Sequence, residues 1–207
     1  MSRLDFWFEF ASTYSYLSAM RIETLAAEAG VTVVWRPFLL GPIFKAQGWS
    51  TSPFNLYPAK GRYMVRDIER IAADRGLAFR MPPTFPVNGL LAARLATVGV
   101  AEGWVAHFTR AAYEAQFARG RDIADPAVLA DLLADLGLDP QAVLATAASD
   151  PTKTALREAT EQAIRLGVFG APSFVTEDGE IFWGDDRLRR ALAWANTRRG
   201  DTDRSPS

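Results

Sequence analysis

The sequence predicts an α/β fold in which a β-α-β unit at the start and a β-β-α unit at the end enclose a long helical insert. Three observations carry this. An aromatic strand, Leu4–Phe10, runs straight into a helix start at Ser12-Thr13-Tyr14. Strand character returns only after about residue 167, around the tight turn Asp178-Gly179. Between them, Asp-Pro pairs open stretches whose apolar residues recur at helical spacing.

Each element can be justified in order. From Tyr14 to Ala29, Leu17, Met20, Ile22, Leu25 and Ala29 suit one helix, which Gly30 ends. Val31–Arg36 is β-branched and reads as the second strand, closed by Pro37. Inside the insert, Met64, Ile68, Ile71 and Ala72 line one face of a helix that closes at Gly76. Asn88 is placed to cap a helix carrying Leu91 and Leu95, and Trp104, Phe108 and Ala112 give the next helix its buried face. Asp125-Pro126, Asp139-Pro140 and Asp150-Pro151 each read as an N-cap followed by proline at the first helical position. Ser173–Thr176 and Glu180–Trp183 form a hairpin about Asp178-Gly179, and Gly184-Asp185-Asp186-Arg187 opens a final helix through Leu188, Leu192 and Trp194. This order is the thioredoxin topology with a large α-helical domain inserted. The expected boundaries are a discontinuous thioredoxin-like domain at 1–40 and 167–199, an inserted helical domain at 41–166, and a polar, disordered tail at 200–207.

Composition narrows the function. Lys+Arg 23 against Asp+Glu 24 leaves a formal net charge of -1, so no electrostatic footprint points to nucleic acid or an anionic membrane. No apolar run approaches a membrane span, and no secretory leader precedes Leu4–Phe10, so the expected compartment is the cytoplasm. With Cys 0 there is no redox disulfide, Fe–S cluster or thiolate zinc site, and no residue cluster points to a metal. His107 is the only histidine; it lies on the Trp104/Phe108 stretch and is read as structural.

Thioredoxin-like redox proteins carry a reactive cysteine at the strand-to-helix junction where this chain has Ser12. A hydroxyl there points to sulfur that arrives with a ligand. A free thiol has a pKa of about 8.5, and lowering it by roughly two units needs about 2.7 kcal/mol of preferential stabilisation of the anion. A helix N-terminus supplies about 0.3–1 kcal/mol and a hydrogen bond to a charged group about 1.5–3, so the two together suffice. From the junction alone, a simple helix cap by Ser12 or Ser15 is the commoner role.

Four segments carry a family resemblance: Phe8-Glu9-Phe10-Ala11-Ser12-Thr13-Tyr14-Ser15-Tyr16-Leu17, Arg36-Pro37-Phe38-Leu39-Leu40, Pro58-Ala59-Lys60-Gly61-Arg62-Tyr63-Met64, and Val168-Phe169-Gly170-Ala171-Pro172-Ser173 with Trp183-Gly184-Asp185-Asp186-Arg187-Leu188. In this order the chain resembles the 2-hydroxychromene-2-carboxylate isomerases of the DsbA-like group, which also includes kappa-class glutathione transferases. Thr13 departs from the pattern, since the family usually has proline after the serine.

The resemblance implies glutathione as cofactor and Ser12 as the catalytic residue that holds its thiolate. Pro172 would be the cis-proline of the fold, with Ala171 pairing to the cysteinyl backbone of glutathione; an ordinary loop proline is the plainer alternative. Asp186, with Asp185 beside it, would meet the γ-glutamyl group, although helix capping by Asp185 is the commoner meaning of an Asp pair at a helix start and both roles can coexist. Lys60 would contact the glycyl carboxylate or else stand solvated, and Asn55 is a further cofactor-binding candidate. Trp49, Phe54, Phe85 and Trp183 are candidates for an aromatic substrate pocket, with core or lid packing as the alternative. The implied activity is a glutathione-dependent isomerase that converts 2-hydroxychromene-2-carboxylate-type substrates to trans-o-hydroxybenzylidenepyruvate in aromatic catabolism, as a homodimer. A kappa-like glutathione S-transferase is the rival enzyme, and a non-catalytic thioredoxin-like binding module is the rival of another class.

Overall fold

The structure, a computed structural model, describes residues 2–49 and 53–202; the side chains at 53, 55 and 198–202 lie outside this set. Strands β1 (Ser2–Phe8) and β2 (Val31–Pro37) pair in parallel, and β3 (Ser173–Thr176) and β4 (Ile181–Trp183) complete a four-stranded sheet of order β2-β1-β3-β4. Strand β1 pairs antiparallel to β3, and β3 to β4. The expected β-α-β and β-β-α units therefore meet on one sheet, giving the thioredoxin-like fold with a helical insert.

Strand β1 is buried on both faces, which is why its sequence is an aromatic run and not an alternation. Phe6 and Phe8 face the larger core, where Phe6 lies 5.0 Å from Trp35 and 5.5 Å from Phe174. Trp7 points the other way, into a second cluster with Phe38, Ile43, Ala163 and Val168. Each such ring contributes about 1.5–3 kcal/mol by leaving water.

The segment expected as one helix from Tyr14 to Ala29 is two, α1 (Thr13–Ala19) and α2 (Ile22–Ala29). No glycine or proline breaks it. Arg21 adopts φ -135, ψ -11 and donates from Nη2 to the Asp185 carbonyl at 2.8 Å and carboxylate at 3.0 Å, so a distant partner bends the chain. Gly30 does cap α2, at φ 65 in the left-handed region.

The insert runs through α3 (Leu40–Ala46), α4 (Pro53–Leu56), α5 (Pro58–Asp74), α6 (Leu90–Glu102), α7 (Val105–Tyr113), α8 (Pro126–Asp135), α9 (Pro140–Ala148) and α10 (Asp150–Leu166). Asp125 and Asp139 cap α8 and α9 as expected. For α10 the cap is Ser149, whose hydroxyl accepts from Thr152 N, so Asp150-Pro151 sits one residue inside the helix. Asn88 accepts from Leu90 N at 3.1 Å at the start of α6. His107 is exposed on α7. A π-helical turn, Glu114–Ala118, continues α7 and buries Phe117. The last helix, α11 (Leu188–Thr202), follows a short 3-10 turn at Asp185–Arg187; 203–207 of the expected tail lie outside the described residues.

Candidate functional site

Four residues, Glu9-Phe10-Ala11-Ser12, carry the chain from β1 into α1. Ser12 N donates to the Glu9 carbonyl at 3.0 Å, closing the turn. Phe10 anchors it in the core against Phe108 and Tyr113, and Tyr113 also donates its hydroxyl to the Glu9 carbonyl at 2.8 Å. Gly89, at the start of α6, closes over this turn; a Cβ there would stand 2.9 Å from Phe10 Cβ.

Ser12 has extended backbone angles and caps α1, its Oγ accepting from Ser15 N at 3.1 Å. The same hydroxyl donates to the Ala171 carbonyl at 2.9 Å. Its one hydrogen is thus on a backbone oxygen across the site. Ala171 precedes Pro172 through a cis peptide bond, and no protein acceptor meets the Ala171 N–H among the described residues. The loop is held by Gly184 N to the Pro172 carbonyl at 2.9 Å and by the Ser173 hydroxyl to the Gly170 carbonyl at 2.8 Å. Thr13, in place of the family's proline, is buried with its hydroxyl unpartnered and keeps a backbone N–H that proline lacks.

These two loops open on a cavity of about 1100 Å³. Trp49, Phe54, Phe85 and Trp183 all reach its wall, so the aromatic set expected from the sequence does come together. Phe54 meets Phe85 edge-on at 4.8 Å, and Trp183 pairs with Phe169 at 5.0 Å on a half-exposed rim. Gly170 has no Cβ because the Trp183 indole occupies that space.

The predicted site residues divide. Ser12, Lys60 and Ala171 line the cavity, and Pro172, joined to Ala171 by the cis bond, is buried. Lys60 stands 4.8 Å over the Tyr57 ring at the start of α5. Asn55 is in α4, but its side chain lies outside the described residues. Asp185 is not brought to the cavity. It is 2% exposed, and its oxygens accept from Ser18 (2.9 Å), Arg21 (3.0 Å) and Arg75 (2.6 Å). Asp186 is exposed and pairs with Arg187 at 2.7 Å. Its charge reaches Tyr14 on the cavity wall, whose hydroxyl is pushed well up by burial first, then by its 2.9 Å bond to Asp67 and by nearby negative charge.

Glu9 is the wall residue the sequence reading missed. Its Oε2 accepts from Ala11 N at 2.8 Å, and burial pushes its carboxyl up to about 7 despite that bond. The available signal was an acid placed in an otherwise apolar run from Phe6 to Ala11.

Comparison with known proteins gives a consistent picture. A family model described as a DSBA-like thioredoxin domain matches residues 3–193. An enzyme named 2-hydroxychromene-2-carboxylate isomerase from Sphingobium xenophagum is 33% identical, over 89% of this chain and 93% of its own. Glutathione S-transferase kappa 1 of Caenorhabditis elegans is 26% identical, over 91% and 88% respectively. A solved 2-hydroxychromene-2-carboxylate isomerase superposes with a TM-score of 0.86 at 26% identity, covering 99% of this chain and 100% of that one.

Proposed function

Because the chain belongs to the DsbA-like thioredoxin family and, within it, to the 2-hydroxychromene-2-carboxylate isomerases, we propose that it is a glutathione-dependent isomerase of 2-hydroxychromene-2-carboxylate-type substrates. The observation that supports this reading best is the pairing of Ser12 with Ala171 on an aromatic-walled cavity in a chain with Cys 0. The residues present fit glutathione: an unpartnered amide beside a cis-proline for an extended peptide, a hydroxyl for the sulfur and a lysine for a carboxylate. Bound glutathione supplies the sulfur nucleophile that adds reversibly to a conjugated carbon, allowing the bond to rotate before the sulfur leaves. The cavity is large enough for a tripeptide and an aromatic acid side by side.

Ser12 changes partners in this scheme. Its hydrogen leaves the Ala171 carbonyl, a bond worth about 0.5–1.5 kcal/mol, for a thiolate bond worth about 1.5–3. The exchange nets about 1 kcal/mol. Helix α1 has 7 residues, so its end adds at most about 1 kcal/mol. Together these lower a thiol by about 1.5 units, short of two, which brings it to about 7 and makes about half of it thiolate at neutral pH. The same rotation frees the Ala171 carbonyl, so both backbone groups of Ala171 become available to an extended ligand. Phe54, Phe85 and Trp183 orient the aromatic substrate and exclude water.

The test is Ser12→Ala assayed for isomerisation with and without glutathione. Full turnover by the variant would refute the role given to Ser12. The kappa relative favours a second reading, transfer of glutathione to an electrophile. A product that retains glutathione would establish it.

A further inference from the structure

Glu9 shares a turn with Ser12 and faces the same cavity, yet it has no part in holding the sulfur. Its carboxyl is held on the wall of that cavity by the Ala11 N–H on Oε2, while Oε1 accepts no hydrogen bond from the described residues. No lysine, arginine or histidine among them lies within ion-pair distance of it. Gly89 approaches Oε1 closely: a Cβ built there would stand 3.5 Å from it. A carboxyl kept in an apolar wall without a counter-ion is costly to ionise, and a site that must take up a proton near neutral pH needs such a group.

We propose that Glu9 is the proton carrier of the thiol site. As a carboxylate it accepts the S–H proton of an incoming thiol, the new O–H bond forming at Oε1 as the sulfur settles against Ser12. As a carboxylic acid it returns that proton when the thiol leaves. The step is balanced without an oxidant or a third reactant, since one S–H bond is exchanged for one O–H bond. It also avoids two adjacent anions, because Glu9 becomes neutral as the sulfur becomes charged. The inference rests on the glutathione reading above.

The other titratable or charged groups facing this part of the site are Tyr113 of α7, Tyr14 of α1 and Lys60 of α5. Tyr113 is pushed up chiefly by burial and secondarily by Glu9, and Tyr14 chiefly by burial, so neither hydroxyl gives up its proton in the range where Glu9 titrates. Glu9, with its carboxyl raised to about 7 by burial, changes charge there.

The test is calorimetric titration of the full-length protein with glutathione at pH ~8, repeated in buffers of different ionisation enthalpy to count protons released per site. Wild type should release almost none, because the thiol proton passes to Glu9. Glu9→Gln should release about one proton to the buffer. Glu9→Asp, which keeps an acid on a shorter arm, should return the count toward zero. Isomerase kcat should fall about 100-fold in Glu9→Gln, with the KM for glutathione changed far less. Equal proton release in wild type and Glu9→Gln would overturn the role of Glu9 and leave the function standing. Should Glu9→Gln not fold, full release by Glu9→Asp or by wild type would overturn it equally. The absence of any glutathione binding by wild type would overturn the function itself, and the proton role with it.

Discussion

Two carboxyl groups flank the short helix α1, and the protein surrounds them in opposite ways. At the far end Asp185 is sunk in the fold with a cation on each oxygen, Arg21 at 3.0 Å and Arg75 at 2.6 Å, and a hydroxyl from Ser18. At the near end Glu9 has one backbone amide and no cation among the described residues. Asp185 is fully buried and Glu9 half-buried on the cavity wall, and they differ above all in counter-charge. Where counter-charge is supplied, the acid ties the bend between α1 and α2, the end of α5 and the approach to α11 into one unit. Where it is withheld, the acid stays able to take up a proton near neutral pH. A half-buried acid without a counter-ion does not stabilise a fold, so its presence points to work done at the cavity.

The contrast can be broken most forcefully at Asp185. Asp185→Ala leaves Arg21 and Arg75 partly buried without a partner and should destabilise the protein by about 3–5 kcal/mol in urea unfolding. A loss below about 1 kcal/mol would mean that the arginines hydrate freely and that the cluster is not structural.

Glu9 should behave in the opposite sense. The folded state holds its proton more tightly than the unfolded chain, from 4.5 up to about 7. Between those values the folded state binds more protons, so stability falls as pH rises through the window. It is fully retained below about 4.5, and the loss amounts to about 1–3 kcal/mol by pH ~8. Glu9→Gln should lack this fall and be the more stable protein at pH ~8, though less active. A parallel pH–stability profile for the two would show that Glu9 is solvated and remove the contrast.

Ser12→Ala should lower kcat/KM by about fivefold, corresponding to the roughly 1 kcal/mol that the exchange of the Ala171 bond for the thiolate bond nets. Its cost to folding should be about 1 kcal/mol, since it also removes the cap on Ser15 N. The smallest effect is expected one residue from Asp185. Asp186→Asn removes an exposed charge and should alter stability by less than about 0.5 kcal/mol. Equal destabilisation by the Asp185 and Asp186 variants would show that position in the turn matters more than burial.

Much of this was legible in the sequence wherever the deciding interaction is local. Asp125 and Asp139 cap helices that begin at the next residue, Gly30 takes the left-handed angles that end α2, and Asp178-Gly179 turns the hairpin. Trp49, Phe54, Phe85 and Trp183 were readable because a shared apolar character marks a shared wall. What escaped depends on partners remote in the chain. The bend at Arg21 is set by Asp185, 164 positions away, and the burial of Asp185 is set equally by Arg75. Ser149 and Asp150 are both capping types, so only geometry chooses between them. Glu9 is defined by the counter-charge it lacks, and a missing neighbour leaves no trace in a linear sequence.

The bond from Ser12 to the Ala171 carbonyl has a consequence for how the site waits between turnovers. A cysteine in this place would be exposed to peroxides and alkylating agents whenever the cavity is empty. Here the resting site holds a hydroxyl turned onto a neighbouring peptide, and the chain has Cys 0. Reagents that poison thiol enzymes find nothing to modify. On the glutathione reading proposed above, oxidative stress would reach the activity chiefly through the supply of the borrowed thiol, and restoring that supply would restore turnover without repair of the protein.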